Sequence, residues 1–267
     1  MSAQTRTEIR DLLERHGRRP RKALGQHFLA DPNITDKIVR LAGVGDGDLV
    51  VEIGPGTGTL TSALATAGAR VVAYEVDEGL APILEETVGA LPNAEVRFED
   101  ATGVDFAAIE GEWVLVANLP YNVGTPIVLD VLRHAPLCRR VVVMVQEEVA
   151  DRFVADPGTK DYGIPSVVVG LTATPVGSFK VPAQVFVPPP NVGSAVVALD
   201  RVAVDGPVER AIELASSAFG QRRKMLRQSL KGALADPVGV CEAAGIVPTS
   251  RAEELAPRDW LRLAEAT

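Results

Sequence analysis

A short apolar strand that runs directly into a glycine-rich loop constrains the fold of this chain more than any other feature. The strand is Leu49–Ile53, and the loop that follows it is Gly54-Pro55-Gly56-Thr57-Gly58. Glycines at such a turn let the backbone pass close to a ligand, because no Cβ stands in the way. The spacing is G-x-G-x-G and differs from the G-x-G-x-x-G that binds a pyrophosphate. It therefore favours a nucleoside ligand without phosphates, for which S-adenosylmethionine is the obvious candidate.

Strand-like and helix-like segments alternate from residue 49 to residue 146. This order is typical of a parallel sheet with crossover helices. Upstream, Asp31 and Pro32 predict the N-cap and the first turn of another helix. Downstream, the last strands are predicted at 167–169 and 194–199, and the pattern becomes helical after a turn at 205–207.

Acidic residues follow the next two predicted strands. Glu75 comes directly after the strand at 70–74, where an acid accepts hydrogen bonds from the hydroxyls of a bound ribose. Asp100 follows the strand at 95–98 and could accept from the adenine amine of a cofactor. Each acid alone is compatible with a solvated surface charge. Because ligands bind at the carboxyl ends of strands in open α/β sheets, the two acids and the glycine loop together predict one nucleoside site.

The tetrapeptide Asn118-Leu119-Pro120-Tyr121 follows a fourth apolar strand, at 113–117. The exocyclic amine of adenine is a poor nucleophile, since its lone pair is delocalised into the ring. Two acceptors, the Asn118 side-chain oxygen and the Leu119 carbonyl, would favour a tetrahedral nitrogen, which is transition-state stabilisation by preorganised polar groups. Pro120 would stiffen the turn, and Tyr121 would stack on the base. The competing interpretation is an Asx-type turn at a strand end.

From about residue 22 to residue 260, the chain closely resembles the S-adenosylmethionine-dependent ribosomal RNA adenine dimethyltransferases of the KsgA type. The resemblance implies an α/β fold: a class I methyltransferase with a Rossmann-like, mainly parallel seven-stranded sheet, an antiparallel final strand and a small C-terminal helical domain. The motifs that carry it are Ala23-Leu24-Gly25-Gln26-His27-Phe28-Leu29, Glu52-Ile53-Gly54-Pro55-Gly56, Glu75-Val76-Asp77, Glu99-Asp100-Ala101, Asn118-Leu119-Pro120-Tyr121-Asn122, Val145-Gln146-Glu147-Glu148-Val149-Ala150, Phe186-Val187-Pro188-Pro189-Pro190-Asn191-Val192-Gly193-Ser194 and Phe219-Gly220-Gln221-Arg222-Arg223-Lys224.

The resemblance also implies roles for individual residues. Phe186 is expected to clamp the target adenine together with Tyr121, beside the catalytic Asn118-Leu119-Pro120 turn. His27 stands where many members of the family have Asn, yet an imidazole can still form a hydrogen bond with the methionine end of the cofactor. The alternative interpretation is that His27 is a loop histidine that binds no ligand. Gly124 stands where Ser is usual. The cofactor contacts implied are His27, Leu29, Gly54, Gly56, Glu75, Asp100 and Asn118.

The net charge of −8 and the pI near 5.0 restrict RNA binding to local patches. The first patch is a basic N-terminal arm at 1–21, which we expect to be flexible. The second lies in a small helical domain at 205–267, which follows the methyltransferase domain at 22–204. If this segment is one helix, its cations lie beside an apolar stripe of Phe219, Leu226, Leu230 and Ala233. The competing interpretation is that the run of charged residues is an ordinary solvated helix face. The RNA-contacting residues expected there are Arg222, Arg223, Lys224, Arg227 and Lys231.

The cysteines and the N-terminus point to an enzyme of the cytoplasm. Cys138 and Cys241 are far apart, without the spacing of a zinc site or a disulfide framework, so no metal is expected. The arginine-bearing N-terminus has no apolar segment typical of a signal peptide. We expect a monomer.

The function implied by the resemblance is dimethylation at N6 of two adjacent adenosines near the 3′ end of 16S rRNA, within the small ribosomal subunit or its precursor. Three alternatives stay open. An erythromycin-resistance type methyltransferase shares the fold but acts on 23S rRNA. A DNA adenine methyltransferase would need a base-reading domain, and none is apparent. A ribosome-assembly factor could carry methylation as a secondary activity.

Overall fold

The structure, a computed structural model, describes residues 4–121 and 123–267. Asn122, which belongs to one of the resemblance motifs, lies outside the described residues. The chain divides into two compact units. The first comprises the residues up to Ala150 together with Pro175–Asp200, and the second comprises Asp151–Thr174 and Arg201–Thr267. No helix of the described residues combines the length and the apolar character needed to cross a membrane.

Most strands belong to one large sheet. The strands are β1 (Phe28–Leu29), β2 (Leu49–Ile53), β3 (Arg70–Tyr74), β4 (Ala94–Arg97), β5 (Trp113–Asn118), β6 (Cys138–Gln146), β7 (Ala173–Val181), β8 (Phe186–Val187) and β9 (Ser194–Arg201). Seven of them form a sheet in the order β4-β3-β2-β5-β6-β9-β7, and β1 pairs with β8 in a separate two-stranded ladder.

The pairing pattern confirms the expected class I methyltransferase fold. Strands β2 to β6 pair in parallel, whereas β9 runs antiparallel to β6. The inner strands are rich in Val, Leu and Ile because both faces of a parallel sheet are covered. Since the parallel strands all end at one edge, β2, β3 and β5 deliver Gly54, Glu75 and Asn118 to the same edge.

Helices flank the sheet strands in sequence and dominate the second unit. They are α1 (Arg6–Arg15), α2 (Pro32–Ala42), α3 (Thr59–Thr66), α4 (Ala81–Val88), α5 (Gly124–His134), α6 (Glu147–Phe153), α7 (Ile164–Thr172), α8 (Val208–Phe219), α9 (Leu226–Ser229), α10 (Pro237–Ala243) and α11 (Pro257–Glu265). Helix α2 begins as predicted, because the Asp31 carboxylate accepts from the N–H groups of Asn33 and Ile34.

The N-terminal segment differs from the predicted flexible arm. Helix α1 begins with a capping box in which Thr5 and Glu8 exchange hydrogen bonds. Its apolar residues recur at helical spacing, and Ile9, Leu12 and Leu13 are buried in a cluster that also contains Phe28, Leu84 and Val187. Burial of this stripe holds the helix on the first unit even though most of its other side chains are charged.

Two further expectations are wrong. The run 167–169, predicted as a strand, lies inside helix α7; short, fully buried apolar runs do not distinguish helix from strand by pattern alone. The predicted domain boundary at 205 also misses the first part of the second unit, because Asp151–Thr174 belongs to that unit rather than to the first.

Candidate active site

A pocket of the first unit opens at the carboxyl ends of β2, β3 and β5 and encloses about 730 Å³ of space that is continuous with solvent. It brings together most of the residues expected at the site, from segments far apart in the chain. Those that line it are His27, Gly54, Gly56, Glu75, Asp100, Asn118, Leu119, Pro120 and Tyr121.

The glycine loop forms one wall of the pocket. Gly54, Gly56 and Gly58 have φ angles of 71°, 60° and 82°, in the left-handed region that favours glycine. A Cβ on Gly56 would lie 2.9 Å from Cδ1 of Phe28, so a side chain there would collide with the pocket wall. The Gly56 N–H donates to Glu75 Oε2 over 3.1 Å, which ties the loop to the end of β3.

Glu75 is suited to hold two hydroxyl groups. Its side chain is buried, and its Oε1 accepts from the Asp77 N–H over 2.9 Å. Burial raises the pKa of Glu75, against the hydrogen bonds from Asp77 and Gly56, which lower it. Each carboxylate oxygen keeps a second lone pair, so both can accept from a ligand. This arrangement fits the ribose of a nucleoside.

Asp100 supplies an exposed acceptor at the pocket rim. Its Oδ1 accepts from both the N–H and the hydroxyl of Thr102, over 2.9 and 2.7 Å. These two bonds lower the pKa of Asp100, so the carboxylate stays ionised. No described residue donates to Oδ2, which is therefore available to a ligand amine.

The Asn118 amide is oriented by a hydrogen bond to the main chain of His27. Its Nδ2 donates to the His27 carbonyl oxygen over 2.9 Å. Because a carbonyl oxygen can only accept, the amide nitrogen must point at it, and Oδ1 is left as the acceptor on the other side of the group. The Leu119 N–H donates to the Met144 carbonyl over 3.1 Å, while no described residue donates to the Leu119 carbonyl. Two acceptors of the turn, Asn118 Oδ1 and the Leu119 carbonyl, thus receive no hydrogen bond from a described residue.

Tyr121 is held from two sides. Its ring stacks on the His27 imidazole with centroids 5.7 Å apart and an interplanar angle of 26°. Its hydroxyl lies 2.6 Å from Ser194 Oγ. His27 Nδ1 lies 2.8 Å from the Pro188 carbonyl, an acceptor, so Nδ1 carries the hydrogen. His27 therefore supports the tyrosine ring.

The structure does not bring Phe186 to the pocket. In the β1–β8 ladder, Phe186 pairs with Leu29, and both side chains enter the main core, where Phe186 is 1% exposed. Alternate residues of a strand face opposite sides, so Val187 and its partner Phe28 turn the other way, into the cluster beneath α1. The expected clamp of Phe186 and Tyr121 is therefore not formed in this structure, where the ring stacked on Tyr121 is that of His27. Leu29, also expected to contact the cofactor, does not line the pocket but lines a smaller cavity behind the glycine loop.

Two polar residues near the site were not predicted to take part in it. Ser194 is buried and anchors Tyr121; its only sequence signal is its place at the end of a resemblance motif. Glu52, in β2, is 1% exposed and lines a smaller cavity behind the glycine loop with Thr57 and Asn118. Burial raises the pKa of Glu52 from 4.5 to about 8, and its Oε2 has no hydrogen-bond partner among the described residues.

Comparison with known proteins decides the family. The model of the family described as "Ribosomal RNA adenine dimethylase" matches residues 17–267. The chain belongs to this family. Membership in the ribosomal RNA adenine dimethylase family confirms the predicted enzyme class and its cofactor, S-adenosylmethionine.

Relatives within the family match along nearly the whole chain. A "Ribosomal RNA small subunit methyltransferase A" of Phenylobacterium zucineum is 47% identical, over 100% of this chain and 94% of the relative. A protein of the same name from Leifsonia xyli subsp. xyli is 46% identical over 96% of each chain.

Solved structures of a dimethyladenosine transferase and of an rRNA methyltransferase share the fold. A dimethyladenosine transferase from Plasmodium falciparum has a TM-score of 0.74 and 26% identity, covering 89% of this chain and 96% of that one. The 23S rRNA methyltransferase ErmE has a TM-score of 0.68 and 28% identity, covering 90% and 98%.

The cations expected to meet RNA lie on a turn and a short helix of the second unit, not on one long helix. Helix α8 ends at Phe219, and α9 spans only Leu226–Ser229, with Leu226 and Leu230 buried. Arg222 is engaged within the unit, since it pairs with Glu253 at 2.8 Å and donates to the Lys160 carbonyl at 3.2 Å. Of the cations expected to meet RNA, Arg223, Lys224, Arg227 and Lys231 are exposed and make no ion pair with a described residue.

Proposed function

We propose that this protein dimethylates N6 of two adjacent adenosines near the 3′ end of small-subunit ribosomal RNA. The observation that carries the proposal is the orientation of Asn118, whose Oδ1 receives no hydrogen bond from a described residue. The side chain lines the same pocket as the glycine loop and Glu75. The small-subunit target is supported by the names of relatives 46% and 47% identical to this chain.

The geometry of the pocket wall supports the proposed cofactor roles. Glu75 would accept from the ribose hydroxyls, Asp100 from the adenine amine, and the main chain at Gly54 and Gly56 would lie against the nucleoside. His27, Leu29 and Asn118 would meet the methionine end, Leu29 through its backbone. When bound, S-adenosylmethionine supplies an electrophilic methyl group on its sulfonium sulfur.

The Asn118-Leu119-Pro120-Tyr121 turn would hold the target base. Oδ1 of Asn118 and the Leu119 carbonyl accept from the N6 hydrogens and localise the nitrogen lone pair. Tyr121 stacks on the adenine, with its ring fixed by His27 and Ser194. The rate enhancement would come chiefly from positioning the adenine amine for in-line attack on the methyl group of the cofactor.

A general base is not required at this site. The N6 proton becomes acidic once the nitrogen is alkylated, and water can accept it. Glu147 and Glu148 do not line the pocket. Glu147 instead begins helix α6, where its N–H donates to the Gly193 carbonyl and its carboxylate contacts Lys180. The position of Glu147 supports the interpretation that this residue stabilises the end of strand β6.

RNA binding would rest on local patches, given the net charge of −8. Arg223, Lys224, Arg227 and Lys231 would contact phosphates, which makes binding strongly salt-dependent. The target base must leave its stack, so a loop is the favoured substrate. We further propose that the protein acts as a monomer in the cytoplasm, where ribosomal subunits are assembled.

One experiment tests the proposal. The protein is incubated with labelled S-adenosylmethionine and unmodified small or large ribosomal subunits, and the labelled nucleotides are mapped. Label on two adjacent adenosines near the 3′ end of small-subunit RNA is the expected result. Label confined to the large subunit would instead establish the 23S alternative, which the structural similarity to ErmE keeps open.

A further inference from the structure

We propose that a groove between helix α1 and strand β8 is a second RNA surface, which holds backbone phosphates next to the target adenosine. The inference rests on the proposed function, because it takes RNA as the substrate. Leu13 and Val187 line the groove, and Arg10, Arg18 and Arg19 are exposed along it. Glu14 is the one acid among the described residues that line it.

The groove is built by a fixed helix end. The Gly17 N–H donates to the Glu14 carbonyl over 3.0 Å, and the Arg18 N–H donates to the Leu13 carbonyl over 2.8 Å. With Gly17 at φ 61°, this is the Schellman pattern of helix termination. Because Leu13 is buried beneath the turn, Arg18 and Arg19 are presented by an ordered backbone.

The arginines of the groove form no ion pair within the described part of the chain. Neighbouring cations have partners: Arg15 contacts Glu86, and Arg21 lies 3.1 Å from Asp77. Arg10 and Arg19 make no ion pair with a described residue. Arg18 extends over Gly79, where a Cβ would lie 2.9 Å from its Nη1, and it also makes no ion pair with a described residue. In a chain of net charge −8, such a cluster fits a polyanion.

The groove adjoins the methyl-transfer pocket. Val187, which lines the groove, pairs in the β1–β8 ladder with Phe28, which lines the pocket. The next residue, Pro188, accepts from His27, whose ring stacks on Tyr121. One residue pair thus separates the two features. An RNA strand whose target base lies against Tyr121 would pass over β8, and its backbone phosphates would then be within reach of the arginines.

The test compares two matched double variants. In Arg10→Gln/Arg19→Gln, the binding of unmodified small-subunit RNA should become less dependent on salt. The slope of log K against log salt should fall in magnitude by about 1.4, because each lost contact to a single-stranded phosphate contributes about 0.7. The control is Arg40→Gln/Arg70→Gln, two exposed arginines at the amino-terminal edge of the sheet, and it should keep the slope of the unaltered protein. Affinity for S-adenosylmethionine should be the same in all three proteins.

A gain-of-function variant guards against misfolding. Glu14→Gln removes the acid from the groove and should tighten RNA binding several-fold, which a damaged fold would not do. If the slope is unchanged in Arg10→Gln/Arg19→Gln, or if Glu14→Gln does not bind RNA more tightly, the proposal that the groove binds RNA is refuted, while the proposed methyltransferase function is not. Failure of the unaltered protein to methylate RNA would overturn the proposed function first.

Discussion

The hydroxyls of Tyr121 and Ser194 lie 2.6 Å apart and join the Asn118-Leu119-Pro120-Tyr121 turn to the first residue of strand β9. Ser194 is buried, so the bond is shielded from water. On the opposite side, the His27 imidazole stacks on the same tyrosine. The ring that is proposed to receive the target base is therefore held by two segments of the chain that are distant from it in sequence.

This bond predicts a moderate loss of activity in Ser194→Ala. A neutral hydrogen bond contributes about 0.5–1.5 kcal/mol, so kcat/KM for RNA should fall roughly two- to twelve-fold while cofactor affinity is kept. Tyr121→Phe removes the other partner but keeps the stacking face. Steady-state kinetics on both variants and on their combination measure the coupling; strictly additive losses would mean that the two hydroxyls act separately.

Asn118→Ala should nearly abolish methyl transfer. Removal of one preorganised acceptor or donor of this kind reduces kcat by about 10²–10³-fold. The Kd for S-adenosylmethionine should stay measurable, because Glu75 and the glycine loop remain. Isothermal titration and single-turnover methylation separate the two effects. Full activity in Asn118→Ala would refute the role given to Oδ1.

Glu75→Ala should weaken cofactor binding. The loss of charge-assisted hydrogen bonds to a ribose corresponds to about 1.5–3 kcal/mol, roughly a 10- to 100-fold rise in Kd. Glu75→Gln keeps one side-chain carbonyl acceptor and should lose less. Titration calorimetry measures both variants. An unchanged Kd in Glu75→Ala contradicts the ribose assignment.

Glu52 should make stability depend on pH. Its ordinary pKa of 4.5 applies to the unfolded chain, and burial raises the folded value to about 8. Between these values the folded protein binds a proton that the unfolded chain has released, so the contribution of Glu52 to stability is full below 4.5 and is lost as the pH rises to 8. Glu52→Gln should remove this loss, so that its Tm increasingly exceeds that of the unaltered protein as the pH rises. Parallel curves of Tm against pH would show that Glu52 does not titrate in this range.

In the second unit, Arg223→Gln/Arg227→Gln/Lys231→Gln should flatten the salt dependence of RNA binding. Loss of three phosphate contacts reduces the slope of log K against log salt by about 2–3. Arg222→Gln is the matched control, because Arg222 pairs with Glu253; it should lower the Tm and leave the slope in place. If the triple variant keeps the full slope, the phosphate contacts lie elsewhere.

The sequence by itself determined those features of the fold and of the candidate site that depend on residues adjacent in the chain. The strand Leu49–Ile53 with its glycine loop, the acid after β3 and the Asn118-Leu119-Pro120-Tyr121 turn were readable because each depends on a few adjacent residues and on the rule that parallel strands end at one edge. The N-cap of α2 was readable for the same reason.

Only the tertiary structure decided which way side chains face and which segments meet. Phe186 was expected at the base but enters the core, because the register of the short β1–β8 ladder sets its side. The basic N-terminus was expected to be mobile but is a helix, since its three buried apolar residues find a partner cluster. The support of Tyr121 by Ser194 and His27 joins residues 73 or more positions apart, and no local pattern encodes a contact of that range.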